Sequence, residues 1–347
     1  MHPMRLYSRR KTSSSRCMHP FKHLRGFTLI ELMIGMTIGL VVLLGLTVFF
    51  SYNSRNQNDL ERSIVRLENS RFALDTLTED LMHAGYYARH VPDNTATYNP
   101  IVICPTSTAD FGWNAAATQM PPAVSAANAN PASTAQSCLT GLRTGTSVIT
   151  LTHAETGDSI QPASTIDSNL YIQTTGCTSD TDKVIINNGP ASNFTLKNMA
   201  CNAVNNVHRL SQRTYFISNC NNCTNNDGIP SLKRGERIGN AYVVDTVAEG
   251  VEQLQFEFGV DTNNDGQADV NHNIAGITGV APNEWRNVVS VRIHILTRSS
   301  LPDPGHVEQR TYLMGTVTLA PADLPAGFKR TLLTTTVPLS NIAGRRE

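Results

Sequence analysis

Charge is almost missing from one long stretch. Residues 27–50 read FTLIELMIGMTIGLVVLLGLTVFF and carry a single ionisable side chain, Glu31, with no lysine, arginine, histidine or proline. As a helix those 24 residues span roughly 36 Å, enough to cross a bilayer. The run is too long for the core of a secretory signal peptide, and no small-residue cleavage site follows it in TVFFSYNS. Acid is absent from residues 1–26, which hold Arg5, Arg9, Arg10, Lys11, Arg16, Lys22 and Arg25. The positive-inside rule therefore puts that leader in the cytoplasm and the body across the membrane, in the periplasm. Proline is absent from residues 27–89, so nothing there breaks a helix. Catalytic signatures are missing as well. No G-x-S-x-G, H-E-x-x-H or phosphate loop occurs, which leaves no recognisable hydrolase or nucleotide site.

Cysteine is sparse but well placed. Cys17 lies in the leader, and Cys104, Cys138, Cys177, Cys201, Cys220 and Cys223 all follow the apolar run. An even set beyond a membrane segment points to disulfides in an oxidising compartment. Cys104 and Cys138 flank a stretch rich in Ala, Asn, Pro, Ser and Thr, which a bridge between them would close. Cys220 and Cys223 form a C-x-x-C, readable as redox-active or as half a zinc site. With no second C-x-x-C or His pair, the favoured reading is a structural disulfide within this pair or to Cys177 or Cys201. Overall charge is balanced at 28 basic and 28 acidic residues, but seven of the basic ones sit in the leader. The remainder has 21 against 28, a net of −7, which argues against nucleic acid as a partner. Lys329, Arg330, Arg345 and Arg346 are the local basic patch that would speak for a DNA-uptake receptor.

Glu31 needs a counterion. A carboxylate among lipid tails is costly and usually has a partner. A cut between Gly26 and Phe27 would supply one, because the new α-amine lies one helical turn away, about 6 Å along the axis. Glu31 could pair with its own amine or with that of an adjacent subunit, and the second pairing would set the axial register between apolar helices. Residues 25–32, RGFTLIEL, resemble the type IV prepilin processing motif. The resemblance implies that a membrane prepilin peptidase cuts after Gly26 and methylates Phe27, and that Glu31 serves methylation and subunit docking. The leader is long for the family, and Met18, which opens MHPFKHLRG, is the expected true start.

The helical pattern continues past the apolar run. Leu60, Ile64, Leu67, Leu74, Leu77 and Leu81 recur at helical spacing, and Gly85 is a natural stop. The expectation is one helix of about 60 residues, greasy in its first half and packed on a sheet in its second. Gly35 and Gly39 form a G-x-x-x-G that permits close helix contact. The expected boundaries are a leader over 1–26, a filament-core helix over 27–50, its amphipathic half over 51–88, an extended loop region over 89–145 and a β-rich domain over 146–347. Within the last, SVITLTHA, NLYIQTT, KVIINN, NFTLKN, RTYFISN, AYVVDTV, VEQLQFEFGV, NVVSVRIHILTRS, RTYLMGTVTLA and LLTTTVPL read as strands. Val289, Val291, Ile293 and Ile295 alternate as in a half-buried strand. A helix followed by many short strands is an α+β pattern with an antiparallel sheet.

Three stretches narrow the resemblance. LTEDLMHAGYYA, VAEGVEQLQFEFGVDTNNDGQAD and EWRNVVSVRIHILTRS are similar to segments of PilW-type minor pilins, and TTTVPLSNIAGRRE to their final strand. The resemblance implies the type IV pilin fold and a non-enzymatic role in a membrane complex that primes pilus assembly and ends at or near the tip. The implied partners are other minor pilins, the major pilin, a PilY-type tip adhesin, the prepilin peptidase, the inner-membrane assembly platform and inner-membrane lipid, with the pilus at the cell surface of a Gram-negative bacterium. A J-type pseudopilin of type II secretion shares the architecture, although this chain is long for that group. A membrane-anchored periplasmic enzyme is a further alternative. His153, His208 and His294 read as ordinary strand or loop residues.

DTNNDGQAD places Asp261, Asn263, Asp265, Gln267 and Asp269 at alternate positions, with Gly266 for the sharp turn. That spacing wraps oxygens round a cation and makes calcium a candidate ligand, though no other cofactor is required. His272 stands where an EF-hand has its bidentate glutamate, so a single-loop site is expected. The alternative is a polar hairpin turn.

Overall fold

The computed structural model describes residues 26–92, 96–157, 160–162, 168–278, 284–303 and 305–346. The leader up to residue 25, with Cys17 and Met18, lies outside them. The chain divides into two compact units, Met1–Asn58 and Asp59–Glu347. Helix α1, Leu29–His83, supplies all the regular structure described in the first unit and enters the second. It ends before Gly85, whose φ of +76° is a left-handed conformation that L side chains resist. The Gly85 N–H donates to Thr152 O at 2.9 Å, fixing the helix end to a strand.

The second unit is built on two antiparallel sheets. Residues 89–145 contain β1 (Thr97–Tyr98) and β2 (Gln119–Met120), which pair in parallel, and then β3 (Val124–Asn128). Next come β4 (Ser147–Ala154), β5 (Tyr171–Thr174), β6 (Val184–Asn187), β7 (Val207–Ser218), β8 (Ser231–Ile238) and β9 (Ala241–Glu249). The twelve-residue β7 is the hub of the seven-stranded sheet. Its start pairs with β5, its middle with β4 and its end with β8. β3, β6 and β9 pair outside β4, β5 and β8. The chain then crosses to the second sheet over one residue, Gly250, at φ +77°, where a Cβ would lie 2.7 Å from Arg298 O. That sheet runs β11–β10–β12–β15, from β10 (Val251–Val260), β11 (Val270–His272), β12 (Val288–Arg298) and β15 (Arg330–Pro338). Short helix α2 (Ile274–Thr278) precedes β12, hairpin β13 (Tyr312–Met314) and β14 (Val317–Leu319) precedes β15, and α3 (Ser340–Ala343) follows it.

One core joins the helix to both sheets. Ala73, Leu77 and Leu81 of α1 meet Ile149 and Leu151 of β4, Tyr215 and Ile217 of β7, Leu254 and Phe256 of β10, and Ile293 and Ile295 of β12. Leu77 and Leu81 are fully buried, each stabilising the fold by about 1.5–3 kcal/mol through burial alone.

Four expectations change. The leucine stripe is only half right: Leu77 and Leu81 are buried, but Leu60, Ile64 and Leu67 are 64 %, 56 % and 36 % exposed. The packed face runs instead through Arg66, Ser70, Ala73 and Leu77, because the small side chains of Ser70 and Ala73 let the helix lie close on the sheet. The 89–145 region is more than an extended surface loop, since Phe111, Ala117 and Met120 form a second core with Tyr87, Ile172 and Leu210. NFTLKN is not a strand: Phe194 and Leu196 are buried from a 3-10 turn and an irregular segment. β12 is buried rather than half-buried, because hairpin β13–β14 covers Leu296 on its other face with Tyr312 and Met314. Strand β8, SLKRGERI, escapes a hydrophobic pattern because it buries Lys233, Glu236 and Arg237.

Candidate functional site

The N-terminal site is an exposed apolar rod with one acid at its start. Every residue from Gly26 to Asn53 is exposed in the protomer, and Phe27 precedes the first helical turn. A Cβ added at Gly35, Gly39 or Gly45 would meet nothing within 4 Å, so all three faces are open. Glu31 has local partners. Its Oε2 accepts from Thr28 N at 3.0 Å and from Thr28 Oγ1 at 3.0 Å, and Glu31 N donates to Thr28 Oγ1 at 3.3 Å. This is a reciprocal capping box, legible in T-L-I-E, that satisfies two orphan donors at the helix start. Glu31 therefore serves as a helix cap.

The acidic loop closes on itself and on an arginine. Asp261 Oδ1 accepts from Asn264 N at 2.6 Å, and Asp261 Oδ2 from Gly266 N at 3.0 Å and Arg346 Nη1 at 3.0 Å. Burial pushes the Asp261 carboxyl up, but Arg346 and those amides outweigh it and hold the group below the usual carboxylate range. Asn263 Oδ1 takes Asp265 N, Asp265 Oδ1 takes Gln267 N, and Asp269 Oδ2 takes both Thr262 N and Thr262 Oγ1. Among the described residues no three His, Cys, Asp or Glu side chains come together to hold a metal. Here the Arg346 guanidinium supplies the positive charge beside the loop's innermost carboxylate.

The cysteines pair as Cys104–Cys138, Cys177–Cys201 and Cys220–Cys223. Lys233 Nζ lies 3.3 Å from Cys223 Sγ, and Ser218 Oγ lies 3.4 Å from both sulfurs of that C-x-x-C. The three histidines singled out by sequence sit in ordinary strand environments. His153 Nδ1 is 3.0 Å from Ala154 O and His208 Nδ1 is 3.0 Å from Glu155 O. His294 bridges Thr334 Oγ1 and Glu257 Oε2 at 3.0 and 3.1 Å.

Two buried ionic clusters have no counterpart in the sequence reading. Asp80 on α1 pairs with Arg213 at 2.7 Å and accepts from the Tyr215 hydroxyl. Arg213 and Arg209 both reach Glu236, at 3.2 and 2.8 Å, and Arg209 also pairs with Glu155. Burial, and then Asp80, push the Tyr215 hydroxyl far above its usual range, so it remains a donor. The second cluster centres on Glu252, fully buried with Arg330 at 2.8 Å and with Arg143 and Arg298 at 3.6 and 3.7 Å. The first cluster locks the helix to the sheet. The one signal for it in the sequence is an aspartate placed three residues after the buried Leu77 on the same helical face.

Comparison with known proteins bears on both ends of the chain. The family model described as Type IV Pilus-assembly protein W matches residues 214–341, from within β7 to α3. The model described as the prokaryotic N-terminal methylation motif matches residues 22–47. Among solved structures, a type IV-like pilin from Thermus thermophilus aligns with 80 % of this chain and 97 % of its own at 9 % identity. Its TM-score of 0.32 is too low to establish a shared fold. No curated protein matches. With a methylation motif on the exposed acid-tipped helix and the pilus-assembly match on the β-rich part, the chain is similar at both ends to PilW-type minor pilins of the type IV pilus.

Proposed function

We propose that the chain is a PilW-like minor pilin of the type IV pilus, which joins a membrane complex that primes pilus assembly and ends at or near the pilus tip. In this reading a prepilin peptidase cuts after Gly26 and methylates Phe27, leaving an α-amine within a turn of Glu31. The protomer sits in the inner membrane, with its N-terminus cytoplasmic and its body periplasmic, until the assembly platform extracts it. The observation that carries this is the helix start: 28 consecutive exposed residues, Gly26 to Asn53, apolar to Phe50 and holding one acid before Arg55. Such a surface is costly in water and finds cover in lipid or among like helices. Cutting gives Phe27 a free α-amine next to Thr28. Glu31 can then exchange its cap for a cation on the amine of its own or a neighbouring subunit. Other minor pilins, the major pilin and a PilY-type adhesin are the partners that follow from the family.

Two measurements test the proposal. Mass spectrometry of the membrane form is expected to find methylated Phe27 at the N-terminus, and an intact precursor would overturn the processing step. Deleting the gene is expected to remove surface pili while secretion continues. Lost secretion with normal pili would assign the chain to a type II secretion pseudopilin instead.

A further inference from the structure

Beneath the end of α1 lies a cavity of about 750 Å³, bounded by Gly85, the loop at Asn264 and the C-terminal residues Arg345 and Arg346. It lies entirely within the second compact unit. Three arginines line it, and one is already engaged. Arg346 donates to Asp261 Oδ2 at 3.0 Å, to Arg286 O at 2.9 Å and to Asn287 Oδ1 at 2.8 Å. The other two are not neutralised. Arg345 Nη2 donates to Gly85 O at 2.7 Å, and the Arg286 guanidinium stands 6.0 Å from the centre of the Tyr98 ring. Among the described residues neither pairs with a carboxylate, and the described lining carries two guanidiniums in excess of its acids.

The walls narrow the chemistry. Tyr87, Tyr98, Met120 and Ile342 give the cavity aromatic and aliphatic surface. The Tyr87 hydroxyl is turned away from it, onto Thr152 Oγ1 at 2.8 Å. Phosphate sites are commonly built from converging backbone N–H groups at a helix start or nest. The one lining glycine with a helix beside it, Gly85, gives its N–H to Thr152 O. Guanidinium forks take carboxylate or phosphate, and the apolar walls favour an anion carried on a carbon stem.

We propose that the cavity binds carboxylates, with Arg286 and Arg345 each taking one and Tyr98 and Ile342 flanking the chain between them. The ligand class is therefore a dicarboxylate, carried either by an acidic peptide segment or by a free small molecule. The site does not rest on the pilus-assembly reading.

The full chain in detergent micelles is titrated by calorimetry with glutarate, with the peptide acetyl-Glu-Gly-Glu-amide and with inorganic phosphate. Tryptophan emission provides a second readout, since Trp113 packs at 4.8 Å on Tyr87 and Trp285 adjoins Arg286. Saturable binding of glutarate or the peptide at about millimolar concentration is expected, with phosphate silent. A peptide that binds roughly tenfold tighter than glutarate assigns the peptide source, and equal affinities assign the free dicarboxylate. Arg286→Gln and Arg345→Gln should each weaken binding roughly tenfold while the near-ultraviolet dichroism of the fold is kept. Arg345→Lys keeps the charge but loses the fork, and should fall between. Raising salt on the unaltered protein should weaken binding too, which tests the ion pairs without any substitution. Silence with both carboxylate probes, phosphate binding as well as glutarate, or variants that bind like the parent would each overturn the proposal.

Discussion

At the residue scale, charge is handled inside this protein by pairing. Asp80 has two donors, Arg213 and Tyr215, and both come from β7. Asp80→Ala leaves the buried Tyr215 hydroxyl without its acceptor and Arg213 with Glu236 in place of two carboxylates, and is expected to cost about 1–3 kcal/mol in urea unfolding. Glu236 shows how the same cluster responds to acid. Burial raises its carboxyl, but Arg209 and Arg213 prevail and depress it. A depressed folded value means that its stabilisation is complete above the unfolded value near 4.5 and is lost as pH falls through the lower folded one. Unfolding midpoints measured through that acid window should fall more steeply for the parent than for Glu236→Gln. Arg346 is the corresponding residue of the acidic loop. Because its guanidinium occupies Asp261, calcium is expected to leave the melting temperature of the parent unchanged. Arg346→Gln should melt lower without calcium, and any calcium-dependent rise should belong to that variant alone. A calcium-dependent rise in the parent would show that the cation displaces the arginine.

At the scale of elements, α1 does two things with one pattern. Its leucines keep helical spacing from Leu60 to Leu81, yet the sheet covers only the later ones. The reason is geometric: Ser70 and Ala73 allow contact with the sheet, and the turns before them present Arg66 to Thr331 instead. Leu77→Ala should therefore cost about 2–5 kcal/mol in stability. Leu60→Ser and Ile64→Ser should change it by less than about 0.5 kcal/mol. If the helix is a filament spine, the same two changes should lower the number of surface pili, counted by electron microscopy. Strand β8 makes the opposite point. Its charges hid it in the sequence, although Glu236 is tied to Arg213 and Ser211 on the neighbouring strand. Burial there follows from partners contributed by β7, which no local pattern records.

For the whole molecule, the disulfides hold the parts of the β-rich unit with the least regular structure. Cys104–Cys138 closes a loop between residues 34 apart, whereas Cys220–Cys223 spans only three. In the loop-entropy picture the first contributes more, so Cys104→Ser with Cys138→Ser should cost about 2–4 kcal/mol in chemical unfolding. The corresponding change at Cys220 and Cys223 should cost less, and the reverse order would mean that the short bridge stabilises native contacts directly.

Much of this architecture is written locally. The apolar run, its single acid, the glycine stop at Gly85 and the strands with period-two patterns all follow from spacing along the chain, and the match to the N-terminal methylation motif is likewise local, over residues 22–47. Their physics is short-range: backbone hydrogen bonding and hydrophobic periodicity act over a few residues. The rest depended on residues distant in sequence meeting in space. Asp80 and Arg213 are 133 residues apart, Arg330 and Glu252 are 78 apart, and Asp261 and Arg346 are 85 apart. Which leucines are covered, which cysteines bond, and whether an acidic loop faces a metal or a guanidinium were all decided by tertiary packing, because a buried charge or thiol is satisfied by whatever the fold brings to it.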